Sequence, residues 1–142
     1  MSFDPTMSVA PAAYRRRERW AARLAVVAAR ILARRSPKTI ARTLTLLSRG
    51  ARPASYAEAI RARESVTGTS LTCASPRGCL PRSIATALLC RSRGCWPTWC
   101  AGVRVMPPFG AHAWVVAEGR QVGEAAPPGY HRALVQVPGG AA

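Results

Sequence analysis

Residues 79–94, CLPRSIATALLCRSRG, decide the fold of this chain. Their leucine, isoleucine and alanine side chains recur at helical spacing, and Gly94 is the residue type that commonly follows a helix C-terminus. A turn sequence, SPRG at residues 75–78, comes directly before this stretch. The pattern therefore predicts a helix over residues 79–93 that begins at Cys79.

Short strand patterns follow this helix. The sequence HAWVVA combines β-branched and aromatic side chains, and EGR after it supplies a turn. One helix followed by a small antiparallel sheet is an α+β arrangement. The predicted strands are residues 99–105, 112–117, 121–124 and 130–137, with the hairpin turn at residues 118–120.

The part of the chain before residue 70 is predicted to be helical and basic. Ser36 and Pro37 end one helix and can begin the next, and Ser55 with Glu58 has the spacing of a capping box. The predicted helices are residues 12–35, 39–48 and 55–62, and residues 67–78 are predicted as a loop. In the first helix the large apolar side chains lie near one stripe, with most arginines elsewhere: Tyr14, Trp20, Leu24, Val27 and Ile31.

The length of 142 residues suits a single compact domain. Residues 1–11 show no periodic pattern and are predicted to form a disordered tail. Residues 12–70 form a helical region, and residues 71–142 form the α+β core. We expect both regions to pack as one unit, because apolar residues make up 49% of the chain and allow a real core.

The charge of the chain is unusual. Twenty-one Lys and Arg face six Asp and Glu, which gives a formal net charge of +15. Such a charge favours an acidic partner, which could be nucleic acid, an anionic membrane, or an acidic peptide or protein. Four Trp, three Tyr and two Phe are too few and too scattered for base stacking, so nucleic acid is not expected. No apolar run is long enough for a membrane span, since arginines interrupt residues 21–33.

Five cysteines and the absence of a signal peptide pattern predict free thiols in a reducing cytoplasm. An odd number does not suit a framework of disulfides. No C-x-x-C pair occurs, so a structural zinc site is not indicated, and we expect no metal or cofactor. The cysteines are Cys73, Cys79, Cys90, Cys95 and Cys100.

Cys79 is the best placed of these thiols for chemistry. The N-terminus of a helix stabilises a thiolate through unpaired N–H groups and the helix dipole, and Arg77 and Arg82 add positive charge. Cys90, inside the same helix, is predicted to be a core residue. Only two histidines occur, and His112 opens a predicted strand, from which its ring can meet the helix start as a general acid and base.

A third group should hold the imidazole, and few acids are available. After residue 64 the only carboxylates are Glu118 and Glu124, and the chain contains no Asn. A three-residue hairpin loop, with Gly119 at positive φ, would place Glu124 diagonally beside His112 on one face. A two-residue loop would place it on the other face unless Gly123 forms a bulge. We predict the three-residue loop, and Cys79, His112 and Glu124 as a catalytic triad.

The sequence of residues 79–124 resembles a known family. Its Cys79-Leu80 and Arg82-Ser83 pairs, the Gly102-Val103 stretch and the strand at residues 112–115 are similar to leader peptidases of lasso-peptide biosynthesis, of the microcin-processing type. These enzymes belong to the transglutaminase-like, papain-related superfamily of cysteine peptidases. The chain resembles the free-standing form, in which leader recognition resides in a separate protein.

The resemblance implies a transglutaminase-like core at residues 71–142 and the removal of a leader from a ribosomally made precursor. Its nucleophile falls on Cys79 and its base on His112. The third member is usually Asp, whereas Glu124 stands here. Implied partners are the precursor, a small leader-recognition protein and a lasso cyclase. Two alternatives stay open: a transglutaminase-like acyltransferase with the same triad, and a non-catalytic basic module that binds nucleic acid or another anionic partner.

Overall fold

The computed structural model describes residues 12–124, 126–127 and 129–139. The predicted tail at residues 1–11 lies outside them. The described elements up to residue 92 are helices, apart from one two-residue strand, and those after it are strands. Helix α5 and the strands after it form the predicted α+β core. In chain order the elements are α1 (Ala12–Leu32), α2 (Pro37–Ser48), β1 (Arg52–Pro53), α3 (Tyr56–Thr69), α4 (Leu71–Ala74), α5 (Cys79–Ser92), β2 (Cys95–Trp96), β3 (Thr98–Arg104), β4 (Gly110–Ala117), β5 (Arg120–Gln121) and β6 (His131–Val137).

The main sheet has the order β5-β4-β3-β6, and all its pairings are antiparallel. Its strands alternate between two faces, as a period of two requires. Ala113, Val115 and Ala117 of β4 join the hydrophobic core, against which α5 packs, while His112 and Trp114 lie on the opposite face. The sheet therefore has a core face toward the helices and an outer face that carries the candidate histidine.

Helix α5 lies at the centre of the molecule, because it contacts α1 and α3 as well as the sheet. Its side chains Ile84, Ala87 and Leu89 are fully or almost fully buried. The indole Nε1 of Trp99 in β3 donates a 3.0 Å hydrogen bond to Ser83 Oγ of α5, which ties helix to sheet. A short parallel pairing of β1 with β2, which the sequence pattern did not predict, joins the helical region to the core.

Two sequence predictions about the helical region are wrong: the end of the third helix at residue 62 and the loop at residues 67–78. Residues 67–78 are not a continuous loop, because α3 continues to Thr69 and α4 follows with Cys73 fully buried. A hydroxyl cap by Ser70, which accepts from the Cys73 N–H at 3.2 Å, allows this short second helix. The capping box of Ser55 and Glu58 is confirmed.

The side of α1 that packs on the core is not its stripe of large apolar residues. The buried residues of α1 are small or β-branched: Ala22, Ala25, Val26 and Ala29. Small side chains let this helix approach α5 and α3 closely, and the larger apolar side chains point outward instead. No helix among the described residues combines the length and apolar character that a bilayer span requires.

Candidate active site

Cys79 is the first residue of α5, as predicted. Its N–H belongs to the first helical turn, where no carbonyl of the same helix can accept it. The side chain is half-buried, whereas the other four cysteines are buried. Cys79 is thus the cysteine that combines access to solvent with the positive end of a helix.

The loop before Cys79 is held closely against α4. A Cβ at Gly78 would lie 1.9 Å from the carbonyl oxygen of Thr72, so only glycine allows this approach. One guanidinium nitrogen of Arg82, in the first turns of α5, donates to the carbonyl oxygens of Cys73 at 3.1 Å and Ser75 at 3.2 Å. These contacts fix the backbone that leads into Cys79.

His112 on β4 lies between Cys79 and Glu124. Its Nε2 is 3.2 Å from Glu124 Oε1, and both side chains are mostly buried. Among the described residues neither nitrogen of the His112 ring has a partner with hydrogen-bond geometry. The contact between His112 and Glu124 is therefore an electrostatic attraction rather than a linear hydrogen bond. Because Nε2 faces the carboxylate, Nδ1 is the nitrogen left for proton exchange with the thiol. The structure therefore brings the three predicted residues together.

The predicted three-residue hairpin loop is wrong. Ala117 pairs with Arg120, so the loop has two residues, Glu118 and Gly119, with φ values of 53° and 74°. Positive φ at both positions is the geometry of a type I′ turn. This register alone would place Glu124 on the core face. The backbone changes direction at Gly123, whose φ is 69°, and the carboxylate reaches His112 by that route.

The electrostatics of the three groups favour an ion pair of thiolate and imidazolium. Interaction with His112 lowers the pKa of Cys79, and the backbone N–H of Ala113 adds to this effect against the cost of burial. Cys79 and then Glu124 raise the pKa of His112 to about 9. Since an imidazolium is lost only as pH rises through its pKa, His112 is charged at neutral pH, and this charge favours the thiolate form of Cys79.

Two arginines support Glu124. Burial opposes ionisation of its carboxyl group, but His112, Arg82 and Arg63 together hold its pKa below the usual value. Arg63 comes from α3, and burial beside Arg82 lowers its own pKa. The sequence pattern did not indicate Arg63, because only the folded chain brings α3 next to residue 124. The carboxylate is thus paired with His112 in a partly buried position and is further stabilised by the charges of two nearby arginines.

An aromatic stack covers the outer face of His112. The rings of His112 and His131 are 4.5 Å apart and 22° from parallel, and the indole of Trp114 lies 5.0 Å from His131. His131 Nδ1 is 3.2 Å from the side-chain oxygen of Gln121. Burial and the nearby charge of His112 lower the pKa of His131. The second histidine of the sequence therefore packs on the first, a contact that the sequence pattern did not indicate.

A larger and a smaller cavity border this arrangement. The larger, of about 470 Å³, lies on the outer face of the sheet and touches Glu124 and His131 but not Cys79. The smaller, of about 250 Å³, lies at Cys79 and His112. Its remaining lining is almost entirely apolar and includes Leu80, Trp99 and Val135. The smaller cavity is therefore the one that borders the thiol, and its lining suits an apolar side chain.

The other cysteines are unsuited to nucleophilic chemistry. Burial raises the pKa of Cys90 well above that of a free thiol, and Cys90 is a core residue, as predicted. Burial also raises the pKa of Cys95, and that of Cys100 to about 11. Cys73 is fully buried. Within the part of the chain that the structure describes, no cluster of His, Cys, Asp and Glu could hold a metal ion.

We expect Glu124→Gln to lower the pKa of His112 below its value of about 9, because the substitution removes the carboxylate that favours the imidazolium. The variant's imidazolium is then lost at a lower pH. NMR titration of the His112 ring protons measures this change. Glu118→Gln is the matched control, since Glu118 is an exposed turn residue that accepts from the Tyr56 N–H. An equal pKa of His112 in both variants would contradict the contact between His112 and Glu124.

We expect Gly123→Ala to destabilise the fold more than Gly119→Ala does. Both glycines have positive φ, which costs about 1–2 kcal/mol for a residue with a Cβ. At Gly119 a Cβ meets no atom within 4 Å, whereas at Gly123 it would lie 2.6 Å from Arg63 Cδ. The half-buried Arg63 side chain must then shift from its place beside residue 123. Urea unfolding compares the two variants, and an equal loss of unfolding free energy would exclude this packing.

Comparison with known proteins agrees with the geometry. The model of the transglutaminase-like superfamily matches residues 10–136, which is most of the chain and includes all three site residues. No curated protein and no solved structure matches this chain. A thiol at a helix N-terminus beside a histidine on an antiparallel sheet fits that superfamily. This chain belongs to the transglutaminase-like superfamily.

Proposed function

We propose that this protein is a cysteine peptidase that removes the leader from a ribosomally synthesised lasso-peptide precursor. The observation that carries the proposal is the contact of Cys79, His112 and Glu124 at the start of α5. Membership of the transglutaminase-like superfamily supports thiol-based acyl chemistry. The choice of leader removal rests on the motifs at residues 79–94 and 102–124, which resemble leader peptidases.

In this mechanism the Cys79 thiolate attacks the carbonyl carbon of the scissile peptide bond. The N–H of Cys79 stabilises the oxyanion, because it lacks an acceptor in its own helix. His112, protonated at neutral pH, gives its proton to the departing amine, and the C–N bond breaks to leave a thioester. His112 then takes a proton from water, which hydrolyses the thioester and releases the leader. The freed core amine is what a partner cyclase requires.

The apolar cavity at Cys79 supports a peptide substrate. Its walls come from α2, α5, β3, β4 and β6, and Ile40, Leu80 and Trp99 form part of them. A side chain near the scissile bond would bury apolar surface there, at about 25 cal/mol per Å². Such a site accepts a residue of the leader while the charged pair acts on the neighbouring carbonyl.

Mass spectrometry of a precursor incubated with the protein tests the proposal. Genes near this one should encode a short precursor, a small recognition protein and a cyclase, and that precursor is the substrate to use. We expect two fragments whose masses sum to the precursor plus water, with the recognition protein present. A product in which the acyl group is joined to an added amine would instead support an acyltransferase. An unchanged precursor would contradict both activities.

A further inference from the structure

We propose that the outward stripe of α1 binds an amphipathic helix of another protein, one that carries acidic residues beside its apolar seam. The stripe consists of four large apolar side chains that remain exposed: Trp20 at 61%, Leu24 at 66%, Val27 at 57% and Ile31 at 58%. Contiguous apolar surface of this kind marks binding sites rather than ordinary solvent-facing surface. The inference does not depend on the proposed peptidase activity.

The spacing of the stripe favours a helix as its partner. Its residues follow one another by four, three and four positions, which is the a/d pattern of a coiled coil. An a/d stripe is narrow, unlike the broad apolar sector of a helix that lies on a membrane surface. Ala28 is exposed and borders the stripe on one side, so the backbone of a partner helix can approach closely there, whereas Ala21 on the same side is partly buried against the core. The four side chains span about 17 Å of helix.

The charge beside the stripe determines which helix fits. Arg16, Arg23 and Arg30 recur every seven residues along its other side and are exposed. They occupy the g positions of the heptad, which pair with e or g positions of a partner helix. The Arg23 guanidinium lies 5.4 Å from the centre of the Trp20 ring, so charge and apolar surface are adjacent. Glutamate or aspartate on the partner would complement this row.

A second copy of this chain is a poor occupant. In an antiparallel pair of α1 helices the two arginine rows would oppose each other, which is destabilising. In a parallel pair each arginine would face alanine rather than an acid. The net charge of +15 on each chain adds repulsion. The arginine row and the narrow apolar stripe therefore both favour an acidic helix of a different protein as the partner.

Fluorescence anisotropy with a designed peptide tests this inference. The labelled probe has three heptads with Ile and Leu at a and d and Glu at e and g. A scrambled peptide of the same composition is its control, because it keeps the charge and loses the seam. We expect saturable binding of the probe and at least about tenfold weaker binding of the scrambled peptide. Equal binding of both peptides, or no binding of the probe, would overturn the proposal.

Two double variants of the protein test the apolar stripe and the arginine row separately. Leu24→Gln with Val27→Gln removes exposed apolar surface without changing charge and should weaken probe binding at least about tenfold. Arg23→Glu with Arg30→Glu should reverse the preference, so that a peptide with Lys in place of Glu binds better. Unchanged binding by either variant contradicts the assigned surface. A wild-type dimer in light scattering, or preference for vesicles of phosphatidylglycerol over the probe, would assign the stripe to another occupant and refute the proposal.

Discussion

Cys79→Ala should reduce precursor cleavage by at least about 10⁴-fold, since loss of the nucleophile removes the covalent route altogether. Cys100→Ala is the matched control. Its thiol is buried with a pKa near 11, so it is almost entirely protonated at neutral pH. Rates from mass spectrometry and circular dichroism spectra of both variants separate chemistry from folding. Wild-type cleavage by Cys79→Ala would refute the peptidase assignment.

The same thiol should be identifiable without a substrate. At neutral pH we expect iodoacetamide to label Cys79 ahead of the four buried cysteines, because the thiolate is the reacting form and the Cys79 pKa is lowered. Equal and slow labelling of all five would instead favour the non-catalytic basic module. Peptide mapping of the labelled protein distinguishes these outcomes.

His112→Ala should also abolish cleavage, by about 10³-fold or more, because the leaving amine loses its proton donor. The variant should alkylate more slowly at Cys79 near neutral pH, since His112 is the main cause of the lowered Cys79 pKa. His112→Gln preserves more of the side-chain volume and should behave in the same way if the imidazole itself matters. An alkylation rate equal to that of the wild type in both variants would exclude the thiolate–imidazolium pair.

Local patterns were sufficient to predict the central helix and most strands. Cys79 begins α5 and Gly94 follows it with a φ of 83°, because turn residues and helical spacing are properties of the adjacent sequence. The strand containing His112 was predicted from its β-branched and aromatic residues. The α+β class followed from the order of these elements, and it is confirmed.

Features that depend on packing between distant parts of the chain could not be predicted from local sequence patterns. Sequence periodicity located α1 but not its buried face, since Ala22 and Ala29 pack closely on α5 where larger side chains would not fit. The hairpin loop was predicted one residue too long, because Glu118 adopts positive φ without being Gly, Asn or Asp. Arg63 reaches Glu124 from a distant helix, which no spacing rule indicates. Catalytic roles for Cys79, His112 and Glu124 remain predictions.

The clamped loop before Cys79 has a consequence for the cost of binding substrate. Gly78 lies against Thr72, and Arg82 donates to two carbonyl groups of the same loop. The backbone that carries Cys79 is therefore preorganised: its conformational entropy is lost once, during folding, and would not be lost again at each encounter with a substrate. A Gly78→Ala chain that still folds would bind the same peptide and react more slowly, because each encounter would have to restore the alignment of Cys79.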